Sequence, residues 1–169
     1  MIDKKIKLFL KESNAIEDIW DEDSLQQAIY AWEFVIGENK LSTSIILETH
    51  KILTLHQKLM PNEKGYFRQE QVWVGGREGK PWFVVSELIK NWCERVNGTI
   101  NQTYPGNLTD DTLEAFIKKD HIEYEKIHPF IDGNGRTGRI FMNWQRVKVG
   151  LSIEVILEKE KQKYYDWFK

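Results

Sequence analysis

His128-Pro129-Phe130-Ile131-Asp132-Gly133-Asn134-Gly135-Arg136-Thr137-Gly138-Arg139 is the densest run of chemistry in this 169-residue chain, and its flanks say what it is part of. Before it, Leu113, Phe116, Ile117, His121 and Tyr124 recur at helical spacing. Pro129 disfavours helical backbone at the residue before it, so that helix ends near His128. After it, Ile140, Phe141, Trp144 and Val147 mark an apolar, central helix ending at Gly150. The run is therefore a loop between helices that opens the second one. Gly133 and Gly135 permit positive φ, so successive N–H groups can face one concavity at a helix start, where an anion is favoured. Arg136 and Arg139 are three apart, share a helical side and can each clamp phosphate oxygens. Asp132 offers a hard oxygen ligand suited to Mg²⁺. His128, with an intrinsic pKa of about 6.5, suits a general base. Singly, these are a turn, a cap and surface charges. In this order they ask for phosphoryl or nucleotidyl transfer. The Gly-Lys-Ser/Thr ending of a Walker A loop is absent.

The rest of the chain reads as mainly helical. Ile6, Phe9, Leu10, Ser13, Glu17 and Trp20 fall near one face of an N-terminal helix. Ser24 with Gln27 forms a capping-box pair that opens a second helix through Leu25, Ile29, Trp32 and Ile36 to Gly37. Ser42 to Ser44 cap a third, carried by Ile45, Ile46, Thr49, Ile52, Leu53, His56 and Leu59 and stopped by Pro61-Asn62. Between Arg68 and Val85 the texture changes. Gln69 to Val74 and Trp82 to Val85 read as two strands with Gly75-Gly76 and Glu78-Gly79 as turn chemistry, one β-hairpin. A lone hairpin is marginal in water, so it must lie on the helices. Helical spacing resumes at Ser86 and runs to about Val96. A polar loop follows, Asn97 to Asp110, with Gly98, Pro105 and Gly106. The tail from Glu154 to Lys169 reads as one more helix.

Composition narrows the function classes. Hydrophobic residues make up 41% and charged residues 30%, so the chain has the material for one core and is not disordered. Lys plus Arg is 24 and Asp plus Glu is 26, a net charge of −2, which argues against a phosphate-backbone binder and so against nucleic acid. No stretch reaches the ~18 apolar residues of a membrane span. The first residues lead into Lys and Glu, not into a signal-peptide core. Cys93 is the single cysteine, so no internal disulfide forms, which fits a reducing cytoplasm. His50, His56 and His121 show no metal-ligand spacing with Cys93 or with each other. No linker divides the chain.

With these residues in hand, the motif resembles the signature of the Fic family, His-x-Phe-x-Asp/Glu-Gly-Asn-Gly-Arg-x-x-Arg. All specified positions match: His128, Phe130, Asp132, Gly133, Asn134, Gly135, Arg136 and Arg139. The resemblance implies a mainly α, Fic-like helical bundle with one β-hairpin flap. It implies a single domain over 1–169, with an N-terminal inhibitory helix at about 2–20, a core at about 42–151 and a C-terminal helix at about 153–168. It implies transfer of AMP from ATP to a protein Ser, Thr or Tyr hydroxyl. His128 would take the hydroxyl proton, and Asp132 would hold Mg²⁺. Gly133, Asn134 and Gly135 would form an anion hole, with Arg136 and Arg139 on the β- and γ-phosphates. Phe130 would anchor the loop. The retained glycines favour adenylylation over the phosphorylation of the Doc branch, which carries Ala-Asn-Lys there. In the flap, Gly65-Tyr66-Phe67-Arg68 followed by Val72-Trp73-Val74-Gly75-Gly76 fits the family pattern that pairs with a target strand. The implied partners are ATP and a protein target docked on the flap, a second copy of the chain among them.

Ser13-Asn14-Ala15-Ile16-Glu17-Asp18 resembles the family's inhibitory motif, Ser/Thr-x-x-x-Glu-Gly/Asn. Ser13 and Glu17 are one turn apart and face the same way. The resemblance pairs Glu17 with Arg139, which removes the γ-phosphate clamp. Asp18 departs from Gly or Asn, and an Asp is a poorer left-handed residue than Gly, so the helix end is expected to differ. Two alternatives stay open: an enzyme that mainly removes AMP, with Glu17 orienting water, and a low-turnover nucleotide-binding regulator of a toxin–antitoxin-like pair.

Overall fold

The computed structural model describes residues 2–102 and 108–169. Seven α-helices and one small hairpin make up the described architecture. In order they are α1 (Lys4–Ile16), α2 (Glu22–Ile36), α3 (Thr43–Thr54), β1 (Trp73–Val74), β2 (Arg77–Glu78), α4 (Val85–Gln102), α5 (Asp110–Ile127), α6 (Asn134–Lys148) and α7 (Lys161–Tyr165). The mainly helical class with one hairpin is as expected. No helix among the described residues is long and apolar enough to cross a membrane.

α6 is the central helix and packs against each of α1 to α5. That explains its composition: every residue from Arg136 to Arg146 is buried. Around it, Phe141, Trp144, Trp92 and Tyr124 form the bulkiest part of the core. Trp92 Nε1 donates to Asp120 O at 2.8 Å and Trp144 Nε1 to Glu38 O at 3.2 Å, so the buried indoles keep their polar edge satisfied.

Several boundaries move, each for a local reason. α1 ends at Ile16, before Trp20, which is exposed. Its end is a Schellman closure: Ile19 N–H donates to Asn14 O and Asp18 N–H to Ala15 O. Asp18 takes φ 57°, so the left-handed position expected to suffer from lacking Gly or Asn is adopted all the same. α2 is capped by Asp21, whose Oδ1 accepts from Ser24 N–H, rather than by Ser24. Ser24 is instead buried inside the first turn, bonded to Asp21 and to His56. Ser42 caps α3 as expected, but α3 stops at Thr54 rather than near Pro61. α4 runs through Gly98 to Gln102, because the buried stripe Val85, Ile89, Trp92, Cys93 and Val96 outweighs the ~1 kcal/mol a helical glycine costs. Of the polar loop expected over Asn97 to Asp110, Pro105 and Gly106 lie outside the described residues.

The hairpin is much shorter than expected. Trp73 pairs with Glu78 and Val74 with Arg77, and Gly75 and Gly76, both at positive φ, make the turn. Trp82 to Val84 form a 3₁₀ turn that feeds α4 instead of a second strand, and Trp73 is 72% exposed rather than packed on helices. The C-terminal segment is not one helix. Residues 151–157 have no regular secondary structure and are held to α6 by Asn143 to Glu154 and by Arg146 to Ser152. Helical structure follows only from Glu158, as a 3₁₀ turn, α7 and a second 3₁₀ turn.

Candidate active site

The loop between α5 and α6 is fixed from three sides. Its own Asn134 amide bridges the loop: Oδ1 accepts from Phe130 N–H and Nδ2 donates to Phe130 O, both at 2.9 Å. The Asn134 side chain is therefore spent on the loop, and only its backbone remains for an anion. From α3, His50 Nδ1 accepts from Gly65 N–H, which fixes the tautomer, so Nε2–H donates to Asp132 O at 2.9 Å. The same ring stacks on Phe130 with centroids 3.7 Å apart. Burial lowers the His50 pKa to about 4, so this strut is neutral. Phe130, fully buried, anchors the loop.

Gly133 sits at φ 81° as the N-cap of α6 and offers no side-chain cap. The first N–H groups of α6 are thus left without a capping oxygen. Gly135 is helical, not left-handed. It is glycine for space, because a Cβ there would collide with Glu17 Oε1 and crowd Arg139. A cavity of about 120 Å³ lies over this turn, bordered by His128, Asp132, Gly133, Gly135, Arg136 and Glu17. It adjoins a larger one of about 700 Å³, within the range of small-molecule sites. The larger cavity runs between the hairpin (Val74, Gly75) and the C-terminal aromatics Tyr165 and Phe168, with His128 and Arg139 at its inner end.

His128 is the C-cap of α5 at φ 51°. Its Nδ1 bonds to Glu125 O at 3.3 Å, which leaves Nε2 as the basic nitrogen. Burial chiefly holds its pKa below the ordinary value and Arg68 adds to this, while the Glu125 carbonyl, Glu17 and Asp132 pull the other way. The imidazole is neutral at neutral pH, as a base must be.

The two arginines are both buried but separate in role. Arg136 faces the small cavity. Its Nη2 meets Asp132 Oδ2 at 3.3 Å, and the Gln57 amide oxygen, turned toward it, accepts from Nη1 and Nη2 at 2.8 and 2.9 Å. Arg139 faces the large cavity, and all three of its nitrogens are engaged. Nε donates to Ser13 Oγ at 2.9 Å, and Nη2 to Ser13 O at 2.8 Å and to Glu17 Oε1 at 2.7 Å. Nη1 donates to Tyr164 OH at 3.2 Å. Burial opposes its charge, but the oxygens of Tyr164, Glu17 and Glu125 more than offset that. Ser13 and Glu17 thus meet Arg139 from 126 and 122 residues away in the chain.

Asp132 presents a half-exposed carboxylate whose Oδ1 accepts from Gly133 N–H. No group of three or more His, Cys, Asp or Glu converges among the described residues. The donor set therefore suits a hard cation held by one protein oxygen plus phosphate and water, which is how Mg²⁺ is commonly held, and does not suit zinc.

Residues with no local sequence signal complete the site. Gln57, His50 and Tyr164 reach it from distant elements. Glu125 lines the large cavity with Oε1 buried and unpartnered, and burial pushes its pKa up to about 7 against the pull of Arg139. The C-terminal segment also grips the end of α1: Glu158 N–H donates to Glu12, Tyr165 OH to Ile16 O, and Lys161 pairs with Asp18. Of the expected target-docking residues, Val74 and Gly75 line the large cavity, Trp73 and Val74 form β1, and Val72 O accepts from Gly79 N–H.

The model of the Fic/DOC family matches residues 46–145 of the chain. A protein adenylyltransferase Fic of Drosophila willistoni is 34% identical over 122 residues, spanning 70% of this chain and 23% of that protein. Its counterpart in Drosophila virilis is 30% identical over 125 residues, spanning 70% of this chain and 24% of that protein. The chain therefore spans about a quarter of the length of the curated relatives it matches. Among solved structures, a Fic-domain signalling protein from Bacteroides thetaiotaomicron superposes with a TM-score of 0.78 at 19% identity, covering 96% of this chain and 70% of that one. Residues 134–508 of Fic-1 from C. elegans superpose with a TM-score of 0.77 at 19% identity, covering 98% and 55%.

Proposed function

The chain belongs to the Fic/DOC family, and on that footing we propose that it is a protein adenylyltransferase braked by its own N-terminal helix. The observation that carries this is the pairing of opposites in one site: a free, neutral His128 Nε2 beside an uncapped helix start, and Arg139 fully occupied by Ser13, Glu17 and Tyr164.

In this reading ATP lies with its nucleoside in the large cavity and its phosphates over the α6 N-terminus. The target enters as a strand on the open edge of β1 near Val72 to Gly75, which places a Ser, Thr or Tyr hydroxyl over His128. His128 Nε2 takes the hydroxyl proton as the oxygen attacks the α-phosphorus. The bond from that phosphorus to the β-phosphate bridging oxygen breaks, and pyrophosphate leaves. The backbone N–H groups of Asn134 and Gly135, with Arg136, meet the charge that gathers on the phosphate oxygens. Asp132 would hold Mg²⁺, which supplies charge neutralisation between the α- and β-phosphates. Arg139 joins the γ-phosphate only after Glu17 has left it, so the resting enzyme binds ATP in an unproductive pose.

Glu17 borders both cavities together with His128, and this favours a second reading in which the carboxylate orients a water for AMP removal. Intact-mass spectrometry separates the readings. Incubation of Glu17→Gly with ATP and Mg²⁺ should add the mass of AMP to the enzyme or to a lysate protein. Loss of AMP from a pre-modified target with wild type only, and no gain with either form, would instead support removal. Nucleotide binding with neither change would support a regulator. Asp132→Ala should demand much more Mg²⁺ for the same rate.

A further inference from the structure

We propose that Arg68 is a positioning residue that locks His128 and the base of the hairpin into one unit, so that the strand that docks the target and the base that deprotonates it keep a fixed relation. This rests on the adenylyltransferase reading above and adds a residue to which that reading gives no role.

Arg68 is 2% exposed and lies just before the hairpin. Its backbone N–H donates to Pro129 O at 3.0 Å. Its guanidinium then divides between two regions. Toward the catalytic loop, Nε donates to His128 O at 2.7 Å and Nη2 to Ile127 O at 3.3 Å. Toward the hairpin, Nη1 donates to Glu70 O at 2.9 Å and Nη2 to Lys80 O at 2.6 Å. Glu70 precedes β1 and Lys80 follows β2, so both limbs of the hairpin are tied to one planar group. All four acceptors are carbonyls, and among the described residues no carboxylate pairs with Arg68.

Two consequences follow from that arrangement. A buried cation without a counter-ion is costly unless its donors are satisfied, and the fixed fork of a guanidinium satisfies acceptors on opposite sides at once. The hairpin has two residues in each strand and little burial of its own, so the Arg68 bonds are what orient it over His128. The Ile127 and His128 carbonyls are also the free end of α5, where a helix dipole favours an imidazolium. Arg68 occupies that end. Its charge opposes protonation of His128, against Glu17 at the end of α1 and Asp132 in the motif loop, while Glu125 and Lys126 on α5, Arg136 and Arg139 on α6, and Arg77, Glu78 and Lys80 of the hairpin also line the two cavities that His128 borders.

The test uses Arg68→Met and Arg68→Lys in the full chain, each alone and in the Glu17→Gly background, with folding checked by circular dichroism. Without nucleotide, the His128 imidazole is titrated by NMR, its signal assigned by its loss in His128→Ala. In Arg68→Met its pKa should rise by about one unit, and in Arg68→Lys, which keeps the charge, by much less. In the Glu17→Gly background both variants should lose about tenfold to a hundredfold in AMP transfer through kcat, with ATP binding unchanged, because small misplacements of reacting groups cost that much. The acid limb of the rate profile should move up with the imidazole in the Met variant. If Arg68→Met fails to fold, Arg68→Lys decides alone through its kcat loss. An unmoved imidazole in Arg68→Met, or native turnover in Arg68→Lys, overturns the proposal. If Glu17→Gly transfers no AMP at all, the functional reading falls, while the titration still decides what Arg68 does to His128.

Discussion

The loop from His128 to Arg139 and the hairpin from Trp73 to Glu78 face each other across the same cavity, and they use their polar groups in opposite ways. In the loop most side-chain polar groups are already bonded, within the loop or to the helices around it. Asn134 bridges Phe130, Thr137 Oγ1 returns to Gly133 O and Asn134 O, and His50 braces Asp132. In the hairpin two residue pairs meet, the turn glycines touch nothing that a Cβ would meet, and Trp73 is largely in solvent. The difference teaches where precision is placed. In the proposed function this loop holds a proton acceptor and a phosphate cradle, which must sit within tenths of an ångström of their task, and an over-determined loop meets that need. In the proposed function the hairpin edge accepts a peptide by main-chain pairing, which tolerates variation in the peptide, and Arg68 ties the base of the hairpin to the loop.

The contrast breaks most visibly at His128. In the Glu17→Gly background, His128→Ala should lower AMP transfer by roughly 10²–10⁴-fold and leave ATP affinity within about twofold, because the cradle remains. Calorimetry and AMP incorporation check the two halves, and undiminished transfer would remove His128 from the chemistry.

Next comes the loop's own brace. Asn134→Ala deletes two buried hydrogen bonds and leaves Phe130 N–H and C=O unpaired, so urea unfolding should show a loss of about 2–4 kcal/mol. A loss under ~1 kcal/mol would mean the loop is held from outside.

A similar magnitude attaches to pH. His50 and His121 are neutral in the fold, with pKa values lowered by burial to about 4 and about 3. Their contribution to stability is complete above the unfolded value of about 6.5 and is lost as pH falls toward 4. Glu125, raised to about 7, acts with the opposite sign: its contribution is complete below about 4.5 and is lost as pH rises through 7. Two groups outweigh one, so stability from these sites should rise between pH 4 and 6.5. His50→Gln should flatten that rise by up to ~3 kcal/mol, and an unchanged slope would show that folding does not shift the His50 pKa.

The smallest effect belongs to the hairpin. Trp73→Ala should change unfolding stability by less than ~0.5 kcal/mol, since the side chain is exposed, yet reduce modification of a protein target. Equal loss in both measurements would make the hairpin part of the core.

How much of this was legible depends on sequence distance. The loop could be read from its own twelve residues, because glycines at a helix start, a cap histidine and arginines three apart each have a local physical meaning. So could the apolar stripe of α6. Gly135 was misread, as conformational need where the need is space, because the Glu17 carboxylate that fills the space is 118 residues away. The contact of Arg139 with Glu17 came from a resemblance, since helical spacing says only that Ser13 and Glu17 face one way, and the bonds from Arg139 to Ser13 were not foreseen. His50 and Tyr164 were invisible as site residues, and Arg68 stood only as the last residue of a flap pattern: the contacts of all three are made only by tertiary packing. The hairpin was overread because Trp82-Phe83-Val84 is β-prone by composition, while Pro81 and the following helix turn it into 3₁₀. The tail was overread as helix because Asn143 and Arg146 bond the backbone of Glu154 and Ser152 and hold that segment against α6 outside any helix.

The central claim is that Glu17 occupies Arg139 in the resting enzyme and thereby withholds it from nucleotide. The most direct measurement is AMP incorporation, with labelled ATP and Mg²⁺, by wild type, Glu17→Gly and Glu17→Gly/His128→Ala side by side. A single variant at least about tenfold more active than wild type, with the gain abolished in the double variant, is the predicted result; tenfold corresponds to about 1.4 kcal/mol of barrier. Glu17→Gly no more active than wild type would contradict the account and leave the 2.7 Å contact between Glu17 and Arg139 as packing alone.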